Sequence, residues 1–299
     1  MIRSPALRGR TGSPAQLPHV RGTTDSLETL AARSIRAVLA FLRTRPYENA
    51  YLQSLLEHDP ATAIAEGSFF LHRDQAGEID GAINVSKNTV LAGSGKAAAS
   101  AFAARVRALP AVRMIVGPRS LIVPFWEALA PHYVQPRLVR ERQRLLRTDR
   151  HMLRGVRADA SVRPATAEDL DTVTEHAALM IAGELGYDPR AARSSFALSI
   201  ARMVDRGWLW VLMNGAELQF MCNVGITSRH TAQMQGVWTP QALRGRGIAR
   251  RAFGAICDHL LDEFPTLSLY VNDFNAPAMA VYRRLGFVET GELSTLLFP

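Results

Sequence analysis

Residues 208–238 hold three runs of strand-forming side chains, 208–213, 217–226 and 231–238, and Asn214-Gly215 joins the first two. Asn-Gly readily takes the positive φ angles of a two-residue hairpin, so these runs are expected to pair as an antiparallel meander. The third run leads into Arg244-Gly-Arg-Gly-Ile-Ala249 and then a helical stretch over 248–263. Meander, glycine turn and helix in that order exclude two nucleotide folds. A dinucleotide fingerprint needs a third glycine inside a parallel βαβ unit. A GxxxxGK[ST] loop is not supplied by Gly93-Ser-Gly-Lys96, which lacks the upstream glycine and the following hydroxyl.

A helix start after such a turn holds phosphate well, because its first amides have no internal partner and the helix dipole adds partial positive charge. Gly245 and Gly247 let a ligand approach the backbone, and Arg244, Arg246, Arg250 and Arg251 surround the turn with cations suited to a pyrophosphate and a ribose phosphate. Upstream, Val162-Arg-Pro-Ala-Thr166 reads as a short strand entering a helix that runs to about 183. Thr166 and Asp169 have the spacing of a capping box. A second helix is expected over 189–206. Downstream come a strand over 267–272, a helix over 275–285 and a last strand over 287–297. Asn275 is the N-cap of that helix, Pro277 lies in its tolerant first turn, and Gly286 stops it. Asn275, Met279 and Tyr282 fall at i, i+4 and i+7 on one face.

At 299 residues the chain is long enough for two domains. Residues 1–24 carry Arg3, Arg8, Arg10 and Arg21, no acid and no apolar periodicity, and read as a flexible basic tail; such a start also resembles an organellar transit peptide. A mixed α/β domain is expected over 25–150, with helices over 25–45 and 47–58, strands over 69–73 and 81–86, a helix over 96–109, a strand over 112–116, a helix over 124–129 and a strand near 143–147. Residues 151–161 form a linker and 162–299 the second domain.

Residues 237–249, Val-Trp-Thr-Pro-Gln-Ala-Leu-Arg-Gly-Arg-Gly-Ile-Ala, resemble the acetyl-CoA signature of the GNAT N-acetyltransferases. Residues 275–287, from Asn275 through Tyr282 to Phe287, resemble that family's second signature, and Val162 to Thr166 its first strand and helix start. The resemblance implies a GNAT fold over 162–299, a mostly antiparallel mixed sheet flanked by helices. The α/β domain before it is similar in element order, like a degenerate copy in a tandem GNAT protein. Acetyl-CoA is then the co-substrate and no metal is needed. By the same resemblance Gly245, Arg246, Gly247, Ile248, Ala249 and Arg250, next to Arg244, cradle the pyrophosphate. Val237, Trp238 and Thr239 pair with the pantetheine arm, Asn275 contacts it, and Tyr282 lies near the thioester sulfur.

A phenol with its ordinary pKa near 10 stays protonated at neutral pH and can give its proton to a departing thiolate. The expected reaction is therefore N-acetylation of a primary amine, on a small molecule or a peptide, by direct attack on the thioester. Relatives often place an acidic base on the strand before the phosphate turn, yet residues 231–238 hold no Asp or Glu. Glu184 and Asp188, in the loop after the first helix of this domain, are the candidates: either attracts an ammonium or acts through a water. His176 and His230 read as surface residues. The alternative is a non-catalytic acyl-CoA-binding regulatory protein.

The net charge of +8 suits an anionic partner, and eight arginines crowd residues 137–157 against Glu141 and Asp149. Alternation such as Arg140, Arg142, Arg144 marks one solvated strand face, and no stacking aromatics interleave, which argues against nucleic acid. No apolar run reaches the length of a membrane span. Cys222 and Cys257 lack a CxxC or a His pair and read as core filler in a reducing cytoplasm. Monomer and homodimer both fit.

Overall fold

The computed structural model describes residues 27–299 except 87, 110, 111 and 158, and the backbone alone for 192–194. The tail expected over residues 1–24 lies outside the described residues.

Two stretches of the same design build one sheet. The first runs β1 (Leu27–Thr29), α1 (Ile35–Leu42), α2 (Ala50–His58), α3 (Pro60–Ala65), β2 (Phe69–Arg73), β3 (Ile79–Asn84) and β4 (Asn88–Gly93), then α4 (Lys96–Arg107), β5 (Met114–Pro118), α5 (Arg119–Leu129) and β6 (Leu138–Asp149). The second runs β7 (Val162–Pro164), α6 (Leu170–Leu185), α7 (Arg193–Asp205), β8 (Leu209–Asn214), β9 (Glu217–Thr227) and β10 (Ala232–Trp238), then α8 (Ile248–Leu260), β11 (Thr266–Asn272), α9 (Ala276–Arg284) and β12 (Val288–Leu297). The 12-stranded order is β1-β2-β3-β4-β5-β12-β6-β11-β10-β9-β8-β7. It reads the same from either edge once each strand is matched with its counterpart six places along the chain, so the molecule is a tandem repeat. Among the described residues only β4 with β5 and β10 with β11 pair in parallel.

At the centre β6 and β12 have changed places: β12 pairs with β5 of the first repeat and β6 with β11 of the second. The arginines of β6 hold this seam. Arg142 Nε donates to Glu292 at 2.7 Å and Arg144 Nη1 to Glu289 at 2.6 Å, both carboxylates being on β12. Arg142 and Arg144 thus share one partly exposed face of β6 and are paired across the sheet there.

The second repeat packs α8 and α9 on one face, with Phe253, Ile256 and Met279 against Phe220, Met234 and Leu269. On the other face α6 and α7 set Val173, Ala177 and Ile200 against Val211, Leu218 and Met221. A wholly buried side chain such as Phe253 stabilises by roughly 1.5–3 kcal/mol. Cys222 and Cys257 are free and sit in the first of these cores. The local signals of this repeat act as the sequence suggests. Thr166 and Asp169 form the reciprocal capping box. Gly215 turns the hairpin with φ 57°, and Gly286 ends α9 with φ 89° where a Cβ would collide with the Met152 carbonyl.

The first repeat departs further from its expected elements. The stripe beginning at Leu27 fits a helical period, yet Leu27–Thr29 is a strand, because pairing with β2 (Leu27↔His72) outweighs a weak local preference. Two elements were not expected at all. α3 starts at Asp59, which accepts the Thr62 amide at 3.0 Å, and β4 lies between β3 and β5. α5 begins at Arg119 with Pro124 inside it rather than at its start. β6 extends well beyond 143–147 at both ends.

Candidate active site

Parallel pairing of β10 with β11 covers only Ala232↔Leu267 and Gln233↔Ser268. The Thr231 hydroxyl donates to Ser268 Oγ at 3.0 Å just below that contact. Beyond it the strands part in a V, and the cleft between them encloses about 1140 Å³. A bulge bends β10 at the opening, where its register with β9 shifts between Gln235 and Trp238. Gly236 takes φ 60° there, and a Cβ on it would collide with the Asn223 side chain.

The cleft wall continues from β10 into the glycine turn. Val237, Trp238, Thr239, Arg244, Gly245, Gly247, Ile248, Ala249 and Arg250 all line it; Arg246, exposed, is not part of the wall. Gly245 and Gly247 have φ 78° and 77°, and a Cβ on either would meet nothing within 4 Å. Glycine is required here for the backbone angle, and the space in front of it is open. The first intrahelical bond of α8 runs from Arg251 N–H to the Gly247 carbonyl at 3.2 Å, so the amides of Ile248, Ala249 and Arg250 precede the helical ladder. Arg244 braces the turn: its Nε donates to the Thr239 carbonyl at 3.1 Å and its guanidinium lies 4.7 Å over the Trp238 ring. Arg251 is drawn away to Asp159 at 3.0 Å.

On the α9 side Asn275 caps the helix, its Oδ1 accepting the Ala278 amide at 3.2 Å, and Tyr282 follows two turns later, 5% exposed. Phe253 and Phe287 enclose the Tyr282 ring at 5.6 and 5.8 Å. Burial pushes the Tyr282 hydroxyl pKa upward, with Cys222, Cys257 and Glu184 adding to the shift. Four buried polar atoms on the cleft wall have no partner among the described residues: Trp238 Nε1, Thr239 Oγ1, Asn272 Oδ1 and His176 Nδ1.

The opposite mouth lies on the α6 face. Leu269 and Val271 point into the core beneath α8 and α9, so the alternate residues Tyr270 and Asn272 face α6. His176, Leu179, Gly183 and Glu184 form a stripe of α6 along this mouth. His176 is therefore a cleft residue and not the surface residue expected from the sequence. Glu184 is on the last turn of α6, not in the loop after it, and its carboxylate lies 3.6 Å from Arg140. Asp188 is not brought to the cleft; both its oxygens are engaged by Arg190. Arg140 and Gln143, from β6 of the first repeat, complete the wall. Sequence reasoning missed Arg140 and Gln143, since nothing local reveals that β6 crosses to this domain, and Tyr270 and Asn272, since the strand over 267–272 was expected without its faces being assigned. Among the described residues no group of three or more His, Cys, Asp or Glu is placed to hold a metal ion, and no helix is long and apolar enough to cross a membrane.

Comparison with known proteins fits this geometry. Residues 161–288 match the acetyltransferase (GNAT) domain family. The second repeat is a GNAT domain. Residues 68–173 match a domain family of unknown function, DUF4081, whose span runs from β2 through the start of α6. An acetyltransferase of Agrobacterium fabrum is 32% identical over 73 residues, 24% of this chain and 53% of that protein, so the chain spans about half the length of this curated relative. Among solved structures, an acetyltransferase from the GNAT family of Colwellia psychrerythraea superposes with a TM-score of 0.54 at 13% identity, over 91% of this chain and 99% of that one. A tandem GNAT protein from the clavulanic acid biosynthesis pathway gives 0.53 at 14%, over 91% and 98%. Both likenesses extend the GNAT fold across the two repeats.

Proposed function

We propose that this protein is an N-acetyltransferase that moves an acetyl group from acetyl-CoA to a primary amine. The observation that carries the reading is the V between β10 and β11, lined by unpartnered buried polar atoms and ending on the unladdered amides of α8. A pantetheine arm carries amides that satisfy such atoms, and a pyrophosphate suits such a helix start. In this reading the amides from Gly245 to Arg250 hold the pyrophosphate, with Arg246 and Arg250 adding charge from outside. Val237, Trp238 and Thr239 hold the arm as an added strand, and the Asn275 amide nitrogen reaches it from the far wall.

The donor enters on the face of α8 and α9, and the amine arrives from the face of α6. Glu184 attracts the ammonium, which releases one proton to solvent water before the neutral amine attacks. An amide of the β10 bulge at Val237 or Trp238 stabilises the oxyanion. Tyr282 keeps its proton because burial disfavours the phenolate, and it hands that proton to the departing thiolate.

Release of free thiol from acetyl-CoA, measured with amino acids, polyamines, aminoglycosides and peptide N-termini, tests the reading. Turnover on at least one amine class is expected. Binding of acetyl-CoA without turnover on any amine would reject acyl transfer and leave a cofactor-binding regulatory protein.

A further inference from the structure

The amine-side mouth of the cleft has an unusual charge arrangement. Glu184 is the only carboxylate among the described residues lining the cleft, and the arginines Arg244 and Arg250 belong to the phosphate turn, while Arg284 is exposed on α9. The remaining cation of the wall is Arg140. It arrives through a backbone irregularity. Leu293 pairs with Gln143 and Thr295 with Arg140, so two steps along β12 correspond to three along β6, and β6 bulges between them. The Thr295 hydroxyl donates to Gln143 Oε1 at 2.5 Å, which places Arg140 and Gln143 on one face of the sheet. Without the bulge Arg140 would share a face with Arg142 and Arg144. With it, Arg140 turns to α6 and Tyr270.

The Arg140 side chain is only 14% exposed, whereas that of Glu184 is 55% exposed. Arg140 meets the protein through one nitrogen: Nη2 donates to the Glu184 carbonyl at 3.3 Å and lies 3.6 Å from the Glu184 carboxylate. Its Nε and Nη1 have no partner among the described residues. The free half of its fork is not sealed off but opens on the cleft, where it can take a carboxylate or phosphate in two parallel hydrogen bonds. The loose contact to Glu184 leaves that carboxylate able to receive a cation. The two charges stand side by side, one of each sign, over the acceptor mouth.

We propose that the acceptor is a zwitterion of the free α-amino acid type, its carboxylate taken by Arg140 from the first repeat and its ammonium by Glu184 of the second. This deepens the proposed function and rests on it. The first repeat then supplies the residue that selects the substrate of the second. Burial raises the pKa of the Tyr270 hydroxyl, against a lowering by Arg140 and with a smaller push from Glu184, and Tyr270 and Tyr282 line the same cleft as the pair.

The experiment uses the full chain, acetyl-CoA, and acceptors in matched sets of one side chain: the free amino acid, its α-amide and its decarboxylated amine. Thiol release gives kcat and KM for each. The free acid is expected to exceed both analogues at least tenfold in kcat/KM, chiefly through KM. Arg140→Gln is expected to raise KM for the free acid about tenfold and to bring the acid-to-amide ratio near one, with Arg140→Lys recovering part of the ratio. If the wild-type protein uses amide and acid equally well, the assignment is wrong, and that ratio requires no variant to fold. An equal loss on all three acceptors in Arg140→Gln would also overturn it, since a mere brace for α6 would behave so. A thermal shift with acetyl-CoA is recorded alongside. A shift with no turnover of any free acid rejects the zwitterion and leaves the cofactor site standing; no shift rejects the proposed function and this inference with it.

Discussion

Where β10 leaves β11 the strands separate after two paired positions; where β4 leaves β5, at the matching point of the first repeat, they stay together. There Asn88, Thr89 and Val90 pair with Met114, Ile115 and Val116, and Gly117 then lies so close that a Cβ on it would meet the Leu91 carbonyl at 2.9 Å. The turns differ as well. Ser94 and Gly95 alone carry β4 into α4, whereas Thr239 to Gly247 carry β10 into α8. Seven residues past the cap of the following helix, Tyr282 stands on the cleft wall, while Phe125 at the same offset in α5 is wholly buried core. One topology therefore yields a cleft or a closed seam. The choice rests on how early a parallel pair stops, how long the next turn is, and one hydroxyl.

The sharpest way to break this contrast is Tyr282→Phe, which writes the first repeat's residue type into the second. We expect kcat to fall about 100-fold or more with acetyl-CoA binding retained, as general-acid loss does; thiol release at full rate would remove Tyr282 from that role. Next in size, acetyl-CoA at about 100 times its Kd should stabilise the fold by about 2.7 kcal/mol in denaturant titrations. An unmoved midpoint would mean that the second cleft does not hold the cofactor. A paired substitution sharpens the comparison further. Gly95 and Gly247 both have positive φ with open space before them, so alanine at either should cost about 1–2 kcal/mol of strain. Only Gly247→Ala should also weaken acetyl-CoA, about tenfold by calorimetry, and equal affinities in the two variants would displace the phosphate from the α8 turn.

The smallest effect concerns entry into the second repeat. The Arg163 guanidinium, with help from the Thr166 amide, pulls the Asp169 carboxyl down to about 2. A depressed carboxyl stabilises above its free pKa near 3.9, and the contribution is lost as pH falls from there through about 2. Asp169→Asn should cost about 1 kcal/mol at pH 7. Urea midpoints of variant and wild type should draw together as pH falls from about 4 and meet only below about pH 2; an undiminished gap at about pH 2 would mean the cap acts without its charge.

The second repeat was readable because its signals are local: Asn214-Gly215 for the hairpin, the Thr166 and Asp169 box, two glycines in one turn, Asn275 and Tyr282 on one helix face. The glycine turn and the strand before it also pointed to one wall of the cleft. The first repeat writes fewer such marks. Leu27 fits a helix as well as a strand until β2 lies beside it, and β4 sits in a stretch of Val, Leu, Ala and Gly without a hairpin turn to announce it. The α6 side of the cleft was hidden for another reason. Arg140 alternates with Arg142 and Arg144 in the sequence, and only the register against β12 shows that a bulge turns it to the other face. Bulges and strand crossings are set by partners far along the chain, which periodicity cannot see.

The crossing of β6 and β12 also sets a timetable for synthesis. β6 is made by residue 149, but its neighbours β11 and β12 begin only at Thr266 and Val288. Until they emerge from the ribosome, β5 and β6 of the first repeat present bare strand edges, the kind of surface that captures other chains. The first repeat cannot close its sheet ahead of the second. The nascent chain thus holds an unfinished sheet through the making of the whole second repeat, and expression at high concentration should favour exchange of β12 between neighbouring copies before the proper partner arrives.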